Sequence, residues 1–174
     1  MEYIFTLKYR LSRIDSQLDN IVDRLGEGGC DDALIGIGLP GRVALEFTRE
    51  APSAEIALIS ALSDVKRAMP TAQLIEAAPD FVGLTDVAEV VGVSRQNLHK
   101  LMVSHKENFP LPIHDGSTAM WHLADMLDWL KDNVAYQLEP TTLDIAKTTR
   151  QINLAKQVLQ LSPKLNQQVQ ALIA

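Results

Sequence analysis

The first 78 residues show two kinds of hydrophobic pattern, in which apolar side chains recur either every second position or every three to four positions. The first period is that of a half-buried strand, and the second is that of an amphipathic helix. Every second side chain from Tyr3 to Tyr9 is apolar, and Val43, Leu45 and Phe47 repeat this spacing. The pattern predicts strand, helix, strand, strand, helix and strand at 3–9, 14–25, 34–38, 42–48, 53–69 and 73–77. This βαββαβ order predicts an α+β domain of the ferredoxin-like type over residues 1–78.

Glycine, serine and proline set the expected helix ends in this region. Gly26 is expected to end the first helix, Ser53 to begin the second and Pro70 to end it. Residues 78–80, with the sequence Ala-Pro-Asp, predict a hinge into the next region. The apolar faces of the two helices consist of Ile14, Leu18, Ile21, Val22 and Leu25, and of Leu58, Leu62, Val65 and Met69.

Residues 84–101 have the pattern of two short helices joined by a tight turn. Thr85 is expected to cap the first helix and Ser94 the second, because side-chain oxygens of this type accept hydrogen bonds from free backbone N–H groups. Gly92 lies at the turn, where left-handed backbone geometry favours glycine. The residues expected at the contact between the two helices are Ala88, Val93, Leu98 and Leu101.

The second of these helices leaves a polar face directed outward, formed by Arg95, Gln96, Asn97, His99 and Lys100. Such side chains bind guanine, adenine and phosphate, so the pattern predicts a helix that reads double-stranded DNA in the major groove. Arg95 is expected to bind guanine or a phosphate, and Gln96 or Asn97 to bind adenine. Lys100 and Lys106 suit phosphates, as does Ser94 at the helix start.

The following residues predict a small hairpin and a closing helix. Asn108 to Pro112 breaks the helix, and residues 113–121 read as a hairpin that turns at Asp115-Gly116. A hairpin in this position is a wing, in which His114 and Ser117 remain for contact with DNA. Trp121 and Trp129 are expected in the core. The apolar face of the closing helix consists of Leu123, Met126, Leu127 and Leu130.

Residues 138–174 predict a helical tail that is interrupted at Ser162-Pro163. Ile145, Ile152 and Leu159 recur every seven residues, which suggests a surface for self-association and hence a homodimer. The chain is thus divided into 1–78, 81–137 and 138–174.

Residues 81–132 resemble the winged helix-turn-helix domains of the AlpA/excisionase branch of the MerR-like superfamily. The matching segments are Thr85-Asp86-Val87-Ala88-Glu89, Gly92-Val93-Ser94-Arg95-Gln96-Asn97, Phe109-Pro110-Leu111-Pro112, Trp121 and Asp125-Met126-Leu127-Asp128-Trp129-Leu130. The resemblance implies regulation of prophage or mobile-element genes, or an architectural role in excision. Members of this family often carry an arginine before the tryptophan, where this chain has Met120.

Charge is distributed unevenly along this acidic chain. The formal net charge is −6, with −5 in residues 1–80, −3 in 81–137 and +2 in 138–174. The segment from Arg95 to Lys106 nevertheless holds three positive charges, two histidines and no acid. A local cationic face on an acidic protein suits a specific DNA binder, since phosphate contacts dominate non-specific affinity.

Several other kinds of site are disfavoured. Gly36-x-Gly38-x-x-Gly41 precedes a strand rather than a helix, which argues against a dinucleotide site. Cys30 has no basic neighbour in the sequence and is expected to be an unreactive thiol, and Asp31-Asp32 reads as a solvated pair. The histidines have no tight ligand spacing, so His99, His105, His114 and His122 are interpreted as polar surface residues. We expect no enzyme, metal or cofactor.

These observations predict a sequence-specific DNA-binding regulator of transcription, a repressor of its own operon or of a mobile-element gene. A single cysteine and the lack of an apolar run of membrane-spanning length predict a cytoplasmic protein without a membrane partner. Two alternatives stay open. One is an architectural excision factor that bends DNA, and the other is an antitoxin-type protein whose N-terminal domain binds and neutralises a partner protein.

Overall fold

The computed structural model describes residues 1–12 and 18–173, and its α+β class agrees with the prediction from the sequence. Within these residues no helix is both long enough and apolar enough to cross a membrane. The elements in chain order are β1 (Glu2–Arg10), α1 (Leu18–Glu27), β2 (Ala33–Gly36), β3 (Arg42–Glu50), α2 (Ala54–Ala68), β4 (Gln73–Ala78), β5 (Phe81–Val82), α3 (Leu84–Val91), α4 (Arg95–Ser104), β6 (Trp121–His122), α5 (Leu123–Val134), α6 (Pro140–Val158) and α7 (Pro163–Ile173).

The first sheet has the strand order β2-β3-β1-β4, with every neighbouring pair antiparallel. The alternation seen in the sequence places one face of β1 and β3 in the core, where Phe5 stacks on Phe47 with ring centroids 5.3 Å apart. α1 and α2 contribute to the same core. The alanines on the buried side of α2 have small side chains, which lets a helix approach closely. They are Ala54, Ala57, Ala61 and Ala68.

A cluster of charged groups lies beside this core. Arg49 donates hydrogen bonds to both carboxylate oxygens of Asp32, at 2.7 and 2.9 Å, and to one oxygen of Asp64, at 2.8 Å. These carboxylates raise the pKa of Arg49 above its ordinary value. The interpretation of Asp32 as part of a solvated pair is therefore wrong. Cys30 is buried nearby, and burial is the main cause that raises the pKa of its thiol to about 11.

A second core lies beneath α3, α4 and α5. It contains Leu98 of α4, the ring of Phe109, and Trp121 and Trp129, as expected for the two tryptophans. Phe109 makes edge contacts with both tryptophan rings. The described residues thus contain two hydrophobic clusters, one in the N-terminal region and one in the middle region.

Helix α6 contacts both cores. Ile145 is buried in the first core, and the next residue, Ala146, is buried in the second. Ile152 also packs against the first core, whereas Leu159 is 87% exposed. The expected self-association surface through Ile145 and Ile152 is therefore wrong, because both side chains are used within the chain.

Side chains of α6 also cover the outer edge of β4. Asn153 accepts a hydrogen bond from the backbone N–H of Ala77 at 2.9 Å and donates one to the carbonyl of the same residue at 2.8 Å. Lys156 donates to the carbonyl of Ile75. An edge strand that would otherwise present free backbone groups is therefore closed by polar side chains of α6.

The first helix differs from its prediction in several details. Gly26 lies inside α1 rather than ending it, and the chain turns at Gly29, whose φ is +94°. Ile21 and Leu25 are buried as expected, whereas Val22 is exposed. The predicted apolar position Ile14 lies outside the described residues.

Candidate nucleic-acid interface

The turn between α3 and α4 is built from local signals in the sequence. Gly92 follows α3 with φ +70° and ψ +33°, the left-handed conformation expected there. The side chain of Ser94 accepts a hydrogen bond from the N–H of Asn97 at 3.2 Å, so it caps α4 as predicted. The cap predicted at Thr85 is wrong. Gly83 occupies that position, and its N–H donates to Asp86 at 2.7 Å.

The packing beneath α4 fixes which of its side chains face outward. Leu98 is fully buried, and Ala88 on α3 is buried opposite it. Val93 and Leu101 pack against the same core, as expected. With this side of the helix held in the core, the polar side chains of α4 are directed to solvent.

The structure separates the predicted contact residues of α4 into groups. Arg95 and His99, together with Lys106 beyond the helix, line a groove of about 810 Å³ between α4 and residues 109–121. Asn97 lies on another side, where its amide is 3.5 Å from the hydroxyl of Tyr136. Gln96 and Lys100 are exposed, and neither lines the groove.

The predicted hairpin is less regular than expected. Its pairing consists of a single bridge between His114 and Met120, and Trp121 continues into β6, which pairs with β5 rather than with the hairpin. Sequence reasoning missed β5 because two residues are too few to show an alternating pattern. Ser117 lines the groove opposite α4, and the His114 ring lies over Gly116, where a Cβ atom would meet it.

The electrostatics of the groove are mixed. Its lining includes Arg95 and Lys106, but also the carboxylates of Asp86 and Asp115. Apolar residues also line it, among them Met102, which the sequence pattern did not identify although its spacing from His99 places it on the same side of the helix. No group of three or more His, Cys, Asp or Glu side chains among the described residues could hold a metal ion.

His122 is not a surface residue, which corrects its interpretation from the sequence. It is 7% exposed, and its Nδ1 lies 2.7 Å from Oδ1 of Asp80, which is 1% exposed. The other carboxylate oxygen of Asp80 accepts a hydrogen bond from Asn153, and Thr149 donates to the carbonyl of Pro79. Residues 78–80 are thus held by side chains from two other elements rather than forming an open hinge.

The half-buried ring of His105 packs against another aromatic side chain of the protein. Its ring meets Trp129 edge-on at a centroid distance of 5.3 Å. Of the four histidines, His99 and His114 are the ones exposed on the side of α4 and the hairpin. Only these two retain the accessibility that contact with a nucleic acid requires.

Comparisons with known proteins do not identify a function for this surface. No protein-family model matches the chain, and no curated protein matches it.

Proposed function

We propose that this protein is a sequence-specific regulator of transcription that binds double-stranded DNA. In this proposal residues 81–132 form a winged helix-turn-helix domain of the AlpA/excisionase type. The observation that carries it is α4, a capped helix without an acidic residue, held on its inner side by buried Leu98. The helix exposes Arg95 beside the groove, and it exposes Gln96 and Lys100 on its outermost side. An α-helix fits the major groove, where side chains of these types bind base edges and phosphates.

The contacts would differ along the interface. Gln96 suits the N6 and N7 edge of adenine, and Lys100 suits a phosphate or guanine. Asn97 is a weaker candidate because its amide faces Tyr136. The exposed His114 and Ser117 on the hairpin would contact the flanking backbone. Base contacts would supply specificity, and phosphate contacts would fix the register.

The N-terminal region supports a second part of the proposal. We infer that it is a ferredoxin-like domain, because strand order β2-β3-β1-β4 with two helices packed against the sheet is the arrangement of that fold. Ile4 and Leu34 are exposed on this sheet, with Leu34 at 71%. A protein partner of this domain would cover these two side chains together with Glu46 and Thr48 of the strand between them.

The proposal includes a cytoplasmic homodimer that acts as a repressor and has no enzymatic activity. Leu165, Val169 and Leu172 lie on one side of α7 and are exposed in the single chain. A second copy would cover them, and two copies would place two α4 helices on a near-palindromic site. Sedimentation equilibrium with and without Leu165→Asp tests this step. A wild-type protein that remains monomeric at micromolar concentration would remove the dimer from the proposal.

Fluorescence anisotropy tests DNA binding directly. The probes are duplexes selected from a random pool, a scrambled duplex, and DNA from upstream of the gene, each over a salt series. The double substitution Arg95→Ala and Lys100→Ala is expected to weaken binding at least tenfold and to reduce the salt slope by about two. A matched control, Arg10→Ala with Arg42→Ala, removes the same charge from neighbouring positions in the first sheet and is expected to bind as wild type.

Two outcomes would reject the proposed function. One is equal, weak binding of the wild-type protein to the selected and scrambled duplexes. The other is an equal loss of affinity in the α4 variant and in the sheet control, since that would show only a non-specific effect of net charge.

A further inference from the structure

Val103 is an apolar residue on the solvent side of α4. Its side chain is 59% exposed, and the helix ends one residue later at Ser104. A β-branched residue has a lower helix propensity than Ala or Lys, and a valine that is 59% exposed keeps most of its surface in water. Helix propensity and packing therefore favour valine only weakly at this position.

Val103 shares the outermost side of the helix with two polar residues. It follows Lys100 by three positions and Gln96 by seven, so the three side chains point in similar directions from the helix axis. None of the three lines the groove beside the hairpin, whereas Arg95, His99 and Lys106 do. The most protruding part of α4 thus consists of a glutamine, a lysine and a valine.

Charge distinguishes this outer side from the groove. The groove combines its two strong cations with the carboxylates of Asp86 and Asp115. The outer side carries the charge of Lys100, and α4 itself contributes no acid. A polyanion would therefore meet less repulsion on the outer side, and a helix that approaches DNA in this orientation brings Gln96 and Val103 to the base edges.

The major groove offers one apolar group to a side chain of this kind, the 5-methyl group of thymine. We propose that Val103 determines specificity by contacting a thymine methyl group, on the same face from which Gln96 reads an adenine. The inference rests on the proposed DNA-binding function. Seven residues of helix span about 10 Å, which corresponds to about three base pairs along the groove. The thymine would therefore lie about three base pairs from the position read by Gln96.

Replacing thymine by deoxyuridine tests the contact because it removes only the methyl group. Each thymine of the selected duplex is replaced in turn, and the affinity of wild-type protein is measured by anisotropy. One replacement is expected to weaken binding about fourfold, the effect of losing one buried methyl group. With Val103→Ala, that same replacement should have no effect, whereas affinity for the unmodified duplex should already be reduced.

Val90 provides the matched control. It is an exposed valine on α3 and is therefore not part of the outer side of α4. DNA binding by Val90→Ala should keep the full sensitivity to deoxyuridine. The melting temperature of Val103→Ala should equal or exceed that of wild type, since alanine is the better helix former.

The possible failures are distinguishable. If the wild-type protein discriminates the selected duplex but no deoxyuridine position depends on residue 103, the assignment of Val103 is overturned and the proposed function stands. If the wild-type protein binds no duplex specifically, the proposed function fails and the inference fails with it.

Discussion

Asn153 makes the contacts that close the outer edge of β4, and its substitution has a calculable cost. The side-chain amide binds the N–H and the carbonyl of Ala77 and also donates to a carboxylate oxygen of Asp80, at 2.7 to 2.9 Å. Asn153 and Asp80 are buried, so Asn153→Ala would leave their partner groups without hydrogen bonds in the interior.

The expected loss follows from these three hydrogen bonds. The two bonds to Ala77 contribute about 1 kcal/mol each, and the bond to the carboxylate contributes about 2 kcal/mol. Asn153→Ala should therefore lower the free energy of unfolding by about 4 kcal/mol. With a urea dependence of about 2 kcal/mol per M, the midpoint of unfolding would fall by about 2 M.

Urea denaturation followed by circular dichroism measures this change, and hydrogen exchange at the Ala77 amide reports the local opening. Gln151→Ala on the exposed side of the same helix is the control, with an expected change below about 0.5 kcal/mol. Asn153→Asp keeps the volume but replaces a donor with a carboxylate beside Asp80. It should be more destabilising than Asn153→Ala at neutral pH. A loss below about 1 kcal/mol in Asn153→Ala would show that these hydrogen bonds contribute little, and so refute the reasoning.

Three further changes probe other contacts. Arg49→Met should cost about 3 kcal/mol in urea denaturation because it leaves the partly buried Asp32 without its ion pair and Asp64 with only the exposed Arg67, and a cost below about 1 kcal/mol would contradict that role. The thiol of Cys30 has a folded-state pKa of about 11 against an ordinary value of 9.0, so stability is retained below pH 9 and falls as pH rises towards 11. Cys30→Ala should remove this part of the pH dependence of unfolding. Gly92→Ala should cost about 1 kcal/mol in the same assay through its positive φ alone, since its Cβ would meet no atom within 4 Å. Gly38→Ala, equally open but without positive φ, is the control.

Features that depend on neighbouring residues were predictable from the sequence. Alternation from Tyr3 to Tyr9 identified β1, and a serine and a glycine at the right positions identified the cap and the turn around α4. The Thr85 cap was misplaced by two residues because Gly83 has no side chain to signal a cap. Arg95 lines the groove and Gln96 does not, because the hairpin packs beside only one side of α4. The spacing of residues along one helix does not show where a distant segment packs.

Contacts between distant parts of the chain were not predictable. His122 and Asp80 are 42 residues apart, and Asn153 and Ala77 are 76 apart. Ile145 and Ile152 are seven residues apart and therefore lie on the same side of α6. This spacing shows that an apolar surface covers that side, but it does not show whether the surface belongs to a second chain or to the sheet of the same chain.

The covering of β4 by α6 has a consequence for synthesis on the ribosome. Ala77 emerges 76 residues before the side chain that closes its outer edge. At 5–20 residues per second, roughly 4 to 15 s pass in which β4 can pair with the strand of another nascent chain. Chaperone demand should therefore concentrate in this interval, and a pause introduced when Ala77 has left the ribosome but Asn153 has not should increase aggregation more than one placed before codon 70.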